Sequence, residues 1–406
     1  MVSRTIALVD GYEGGHHETH LRNYAKALLE MGCRVLELLP DPGGVEEWLR
    51  KQRIPSAEAI RFCTFRRARI VSPSYRLRRW YVPAAMWREA AVALRGAEEE
   101  TGWHPDLVFF NWLDDYVLDG SHLVRSLLPV IFPYRWSGVF FHPWHLRAPD
   151  GKADPVYYRS EYLMKTRSCA GVAVVDAGVA GSMAGYIGKD VIPFPDETDA
   201  SLPDNQGPLV RRISEAAKGR RIIGLLGNLS RRKGIVSMLK AAQKAGHKEW
   251  LFILVGDFGE ANQKSLFPDE AVFVDRIVRN RTSNVFFHGK RIPGEADFNA
   301  VANLCDVLFA AYENFGHSSG IVTKAAVFEK PILVSPGFCM AEVVKKYRMG
   351  LAVDPHDTQA VIEALEILLD RHAFRAHVGT PDFAGCRQEH SVEALGPAFR
   401  RILELI

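Results

Sequence analysis

Cysteine is sparse in this chain and never clustered. The six cysteines, Cys33, Cys63, Cys169, Cys305, Cys339 and Cys386, stand far apart with no C-x-x-C pair. That argues against a disulfide framework or a structural zinc site and suits a reducing cytoplasm. Charge of one sign is also scarce: the formal net charge of +3 is too small to argue for a nucleic-acid partner. Long hydrophobic runs are missing. The greasiest stretch, near 127–141, is broken by Pro129, Pro133 and Arg135, so no membrane-spanning helix is expected. Residues 1–9 read as a short strand after a single Arg rather than as a signal peptide, and no internal repeat or low-complexity tract stands out. What is there is the composition of a globular protein. The 406 residues, 47% hydrophobic and 24% charged, suffice for two ordinary domains with full cores.

Apolar runs alternate with helix-like segments throughout. Thr5–Val9, Val35–Leu39, Leu107–Phe110, Gly138–Phe141 and Gly171–Val175 read as strands, and Glu18–Met31 as a helix stopped by Gly32. The Pro-rich segment Pro193–Pro208 reads as a linker. A second series follows: Ile222–Leu226, Leu251–Val255, Val285–Phe287, Val307–Ala310 and Ile332–Val334. The expected fold class is therefore α/β, with two Rossmann-like β/α/β domains facing a cleft, residues 1–200 and 201–385. A last helix, Ala394–Ile406 within 386–406, is expected to pack back across the hinge.

Two loops carry the chemistry. Gly227-Asn228-Leu229-Ser230-Arg231-Arg232-Lys233-Gly234 lies between a strand and a helix-like stretch. A lysine beside a helix start adds a cation where the helix dipole already favours an anion, and Arg231 or Arg232 could clamp phosphate oxygens in bidentate fashion. The plain alternative is a solvated basic turn. The second loop, after Val307–Ala310, contains Phe315-Gly316 for close backbone approach and Ser318-Ser319-Gly320 as a helix start. Together they read as a cradle for a sugar-nucleotide pyrophosphate. Neither is a P-loop, because the G-K-[ST] ending is absent. The early loop D-G-Y-E-G-G-H-H-E-T-H at 10–20 fits neither a dinucleotide fingerprint nor H-E-x-x-H, since position 21 is Leu21. Its histidines invite a metal reading that no Cys or Asp cluster supports.

The run from Gly227 to Gly234, then Leu251 to Asp257, Phe287-His288-Gly289, Glu313-Asn314-Phe315-Gly316 and Lys324-Ala325 leading to Pro331 resembles retaining glycosyltransferases of the GT-B fold, family 4 (glycosyl transferases group 1). The order and spacing match over the C-terminal half. Two positions depart from the family pattern: its first-loop arginine is Asn228 here, and its second motif glutamate, which holds ribose hydroxyls, falls on Lys324. A cation cannot accept a bond from a hydroxyl, so either the ribose is held differently or Lys324 touches a phosphate.

The resemblance implies hexosyltransferase-like transfer from a nucleoside-diphosphate sugar to a hydroxyl acceptor, with retention, no protein nucleophile, no cofactor and no metal requirement. Lys233, Glu313 and His142 are the implied catalytic residues. Asn228, Arg231, Arg232, Phe315, Gly316, Ser318, Ser319, Gly320 and Lys324 would hold the donor, with its base near Lys290, Arg291 and Ile292. Gly14 and Gly15 would lie under the donor phosphates, and His16 or His17 would meet the acceptor; the alternative is that these histidines cap a helix or sit in solvent. His142 ends a strand, and a satisfied core histidine is the competing reading. Asp176 reads as structural. Between Arg61 and Arg95 nine arginines interleave with six aromatics and hardly an acid. This suits an anionic or lipid-linked acceptor, or peripheral contact with the inner face of a membrane, or simply a surface helix pair. No nucleic-acid motif accompanies it. An epimerase-like or phosphorylase activity on the same fold, and a non-catalytic binder of nucleotide sugars, remain open alternatives.

Overall fold

A computed structural model describes residues 4–12, 16–54, 58–68, 70, 75–117, 122–143, 146–147, 162–246, 249–280, 282–292 and 294–406, with 16, 75–80 and 122 described in backbone only. The chain forms two compact units, one of Met1–Glu197 with Ser391–Ile406 and one of Thr198–His390.

Unit 1 is built on a parallel sheet of seven strands: β1 Thr5–Val9, β2 Arg34–Leu39, β3 Ile60–Thr64, β4 Leu107–Phe110, β5 Trp136–Phe140, β6 Val172–Val174 and β7 Val191–Pro193, in the order β3-β2-β1-β4-β5-β6-β7. The inner strands are apolar on both faces because helices cover both. The helix His16–Glu30 ends where Gly32 takes φ +78°. There the Cys33 N–H donates to Leu28 C=O at 3.0 Å and the Gly32 N–H to Leu29 C=O at 2.9 Å, satisfying carbonyls that a helix end orphans. The last helix, Leu395–Leu403, belongs to this unit. Its Phe399 lies 5.6 Å from Tyr24, 5.0 Å from Phe109 and 5.3 Å from Phe194, centroid to centroid.

Unit 2 repeats the winding with six parallel strands: β8 Arg221–Asn228, β9 Trp250–Asp257, β10 Val285–His288, β11 Val307–Ala310, β12 Ile332–Val334 and β13 Gly350–Ala352, in the order β10-β9-β8-β11-β12-β13. In each sheet the strand order reverses once in the middle, between β1 and β4 and between β8 and β11. Loops leaving the carboxyl ends of such a pair diverge to opposite faces and open a crevice where ligands bind.

One buried group runs against the pattern. Glu37 interrupts β2 on the face it shares with Val35 and Leu39; it is fully buried, and neither carboxylate oxygen has a hydrogen-bond partner among the described residues. Burial, with a smaller contribution from Glu18, pushes its pKa from 4.5 up to about 8. The native state thus holds a proton that the unfolded chain releases near pH 4.5, so stability should fall as pH rises between about 4.5 and about 8 and level off above. Denaturation of the Glu37→Gln variant should show that slope reduced. For the last helix, Phe399→Ala should cost about 3–5 kcal/mol of unit 1 stability by leaving a cavity among three aromatic rings, read from the denaturation midpoint.

Candidate active site

In unit 2 the loops leaving β8 and β11 are joined backbone to backbone. The Glu313 N–H donates to Arg232 C=O at 2.9 Å. Gly234, at φ +82°, packs so closely that a Cβ there would stand 2.6 Å from the Ala311 carbonyl oxygen; only glycine satisfies both the left-handed turn and the approach. The Leu229 N–H donates to Asp257 C=O at 2.8 Å, anchoring the first loop on β9.

This scaffold brings Lys233 to Ser319, with Nζ to Oγ at 3.4 Å. The ammonium also lies over the rings of Tyr312, at 4.1 Å, and Phe315, at 4.3 Å, a cation–π setting that fixes it without neutralising it. Ser319 precedes the helix Gly320–Val327 in extended backbone and does not cap it with its side chain. The first amides of that helix therefore have no acceptor within it. Burial pushes the Tyr312 hydroxyl up to about 12, so at neutral pH it is a neutral hydroxyl hydrogen-bonded to Ser319. Ser318, Ser319 and Gly320 are half-buried, whereas Phe315 and Gly316 are buried.

The two arginines diverge. Arg231 donates through Nε to Glu270 at 2.9 Å, pairs with the buried Glu313 at 2.8 Å and lies over Phe267. Its guanidinium is engaged by carboxylates of its own unit. Arg232 is exposed and stands over Phe315 at 4.9 Å. Asn228 is exposed at the end of β8. Lys290 and Arg291 are exposed and Ile292 half-buried just beyond β10, which is separated from β8 by β9. His288 beside them is lowered by burial and by the charges of Arg212 and Lys290.

Lys324 turns to other work. Its ammonium is bonded to Asp199 C=O at 2.6 Å, to Glu295 Oε2 at 3.0 Å and to Asn299 Oδ1. Asn299, fully buried, donates in turn to Ser201 C=O at 2.9 Å. An ammonium has three protons, and this network takes them to fasten the segment entering unit 2 onto the helix Glu295–Leu304.

In unit 1 the carboxyl edge of the sheet gathers two histidine–aspartate pairs. His17 Nδ1 meets buried Asp10 at 2.8 Å, and Asn111 donates to the same aspartate. His142 Nδ1 meets Asp114 at 2.7 Å, while the Phe141 and His142 N–H groups both donate to Asp114 at 2.9 Å. Trp112 lies between, 5.1 Å from His17 and 5.4 Å from His142. His142 is part-exposed, with 30% of its side chain accessible, so it is not a core histidine. His20 pairs with Glu197 at 2.6 Å. Burial alone would lower it, but the charge and hydrogen bond of Glu197 outweigh burial and raise it. Among the described residues no group of three or more His, Cys, Asp or Glu side chains is arranged to hold a metal. Gly14 and Gly15 lie outside the described residues, as does the His16 side chain. Asp176 is structural: it accepts from the Gly178 N–H at 3.1 Å and pairs with Arg147.

Sequence reasoning passed over Asp10, Asp114, Glu270 and Tyr312. Asp10 carried a readable signal, an acid directly after a strand; the others are placed by contacts between distant segments.

Residues 208–380 match the family described as Glycosyl transferases group 1, a span that contains all six strands of unit 2. Among solved structures, HepE of Anabaena in complex with UDP and glucose is 18% identical over 100% of both chains, with a TM-score of 0.67. Sucrose-phosphate synthase from Thermosynechococcus elongatus is 16% identical over 99% of this chain and 98% of its own, at 0.69. An alpha,alpha-trehalose-phosphate synthase (UDP-forming) from Burkholderia vietnamiensis is 12% identical over 100% of both, at 0.69. At such identities the likeness is one of fold, and the fold is GT-B. No curated protein matches the chain by sequence.

Replacing Lys324 by Ala should strand the Asn299 and Asp199 acceptors and cost about 2 kcal/mol of unit 2 stability, measured by chemical denaturation. Nucleotide affinity, tested in the folded variant, should change little.

Proposed function

We propose that the protein is a hexosyltransferase-like enzyme that moves a sugar from a nucleoside-diphosphate sugar to a hydroxyl acceptor with retention of configuration. The observation that carries this reading is the meeting of Lys233 with Ser319 at 3.4 Å, at the start of a helix and at the point where the sheet order reverses. A cation, a hydroxyl and a helix N-terminus together favour a diphosphate. The family match over 208–380 and a fold shared with HepE, solved with UDP and glucose, support the same donor class.

Negative charge grows on the departing diphosphate, and preorganised donors aimed at it lower the barrier. Lys233 supplies the charge, and the amides at 318–320 supply donors without reorganisation. Glu313 and the backbone at Phe315–Gly316 are assigned to sugar hydroxyls, Lys290 to Ile292 to the base, and Arg232 and Asn228 to the rim of the phosphate site. In unit 1 His142 and His17, each oriented at Nδ1 by an aspartate, are assigned to hydroxyl recognition. No metal is required in this scheme, because the cation is part of the chain.

Lys233→Ala should lower donor-dependent nucleotide release by about a hundred- to a thousandfold; unchanged turnover would remove Lys233 from the mechanism. A second reading has one observation in its favour: Glu313 is ion-paired to Arg231, which suits a protein that binds a nucleotide sugar without turning it over. Calorimetric binding of UDP-, GDP- or ADP-sugars with no release in the presence of an acceptor panel would establish it.

A further inference from the structure

Nine large hydrophobic side chains are exposed among the described residues, and five of them, Tyr81, Val92, Leu123, Leu127 and Val130, lie on two helices of unit 1. These are Tyr75–Thr101 and His122–Ile131, which pack against each other. Single exposed apolar residues are ordinary, but their concentration on two packed helices is not. The spacing is helical. Leu123, Leu127 and Val130 recur at intervals of four and three along one face, and Tyr81, Arg88 and Val92 at intervals of seven and four along the neighbouring one. Val130 is 81% exposed, which leaves its side chain almost wholly in water.

Arginine predominates on this surface, against one exposed glutamate on the same stripe, Glu99, a turn beyond Arg95. Arg88 and Arg95 are exposed on the first helix and Arg125 is half-buried on the second. Glu89, the acid within this stretch, is turned to the Ala68 N–H at 2.7 Å. The remaining acids of the long helix gather at its far end, Glu98-Glu99-Glu100. The first turns of that helix carry the sequence Y-R-L-R-R-W-Y. By contrast Trp87, from the same stretch, is fully buried against Phe110, Phe132 and Trp136, so the aromatic content of 61–95 is divided between core and surface.

We propose that this two-helix surface of unit 1 docks on a bilayer rich in anionic headgroups. Leu123, Leu127, Val130 and Val92 would enter the boundary between headgroups and acyl chains, with the arginines at phosphate level. The excess of arginine, with Arg76, Arg78 and Arg79 in the first turns of the long helix, favours an anionic surface over a second copy of the same chain. The inference stands apart from the proposed diphosphate site, which lies in unit 2.

The full-length protein should cosediment with vesicles of phosphatidylcholine containing about a third phosphatidylglycerol, not with phosphatidylcholine alone, and should release in high salt. The double variant Leu127→Glu, Val130→Glu should partition about tenfold less or weaker while its melting temperature and nucleotide binding stay unchanged. Arg88→Glu with Arg95→Glu should weaken binding to anionic vesicles in the same way. Three results would overturn the proposal: no cosedimentation with anionic vesicles, full cosedimentation of the apolar double variant, or a dimer in solution that the apolar double variant disperses. Loss of nucleotide binding in the wild-type protein would bear on the catalytic reading and leave this one standing.

Discussion

The candidate site depends on one backbone hydrogen bond and one missing side chain. The amide of Glu313 reaches the carbonyl of Arg232, and Gly234 lets the first loop lie against Ala311. Because these contacts are made by main chain, they hold the two loops together whatever side chains decorate them. Lys233 sits between the two anchoring points and has little freedom in where it projects. The Ser319 hydroxyl and the rings of Tyr312 and Phe315 then define its position. A strained or slack junction here would misplace the only lysine of that loop, and with it the catalytic role proposed for its charge.

Charge around that lysine is arranged by subtraction. Arg231 is held by Glu270 and Glu313, and such a pairing keeps a buried carboxylate compensated. Tyr312 is kept neutral by its burial, so it contributes a dipole rather than an anion beside the ammonium. Lys233, the exposed Arg232 and the amides of a helix start together give this edge of the sheet a positive field. In unit 1 the same economy appears with opposite sign: Asp10, directly after β1, and Asp114, at the start of the short helix Asp114–Val117, are buried, and each fixes the Nδ1 side of a histidine. A fixed Nδ1 contact sets the tautomer, and with it what the other ring nitrogen can do.

Most of the architecture was legible because the inner strands of a covered parallel sheet are apolar on both faces. Leu107–Phe110, Val307–Ala310 and Ile332–Val334 are read correctly to the residue. The strands that escaped reading, Ile60–Thr64, Val191–Pro193 and Gly350–Ala352, share one property: each lies at the edge of its sheet. An edge strand has one neighbour, and two of these have only three residues, too few for a period to show. The one at 191–193 ends in a proline, which an edge tolerates and which the linker reading took as its first residue. For the site, the local motifs around Lys233 and Ser319 were visible as sequence. The partners that orient them were not: Glu270 lies 39 residues from Arg231 in the chain, and no local pattern records such a pairing.

The network around Lys324 couples three positions. A glutamate at position 324 would be no harmless replacement. It would place a second carboxylate beside Glu295, leave the Asn299 side-chain carbonyl without its donor and unfasten Asp199. The positions are coupled, so a change of charge at 324 calls for a compensating change at 295 or 299. Lineages that differ at 324 should therefore differ at its neighbours, a signature of epistasis rather than of drift.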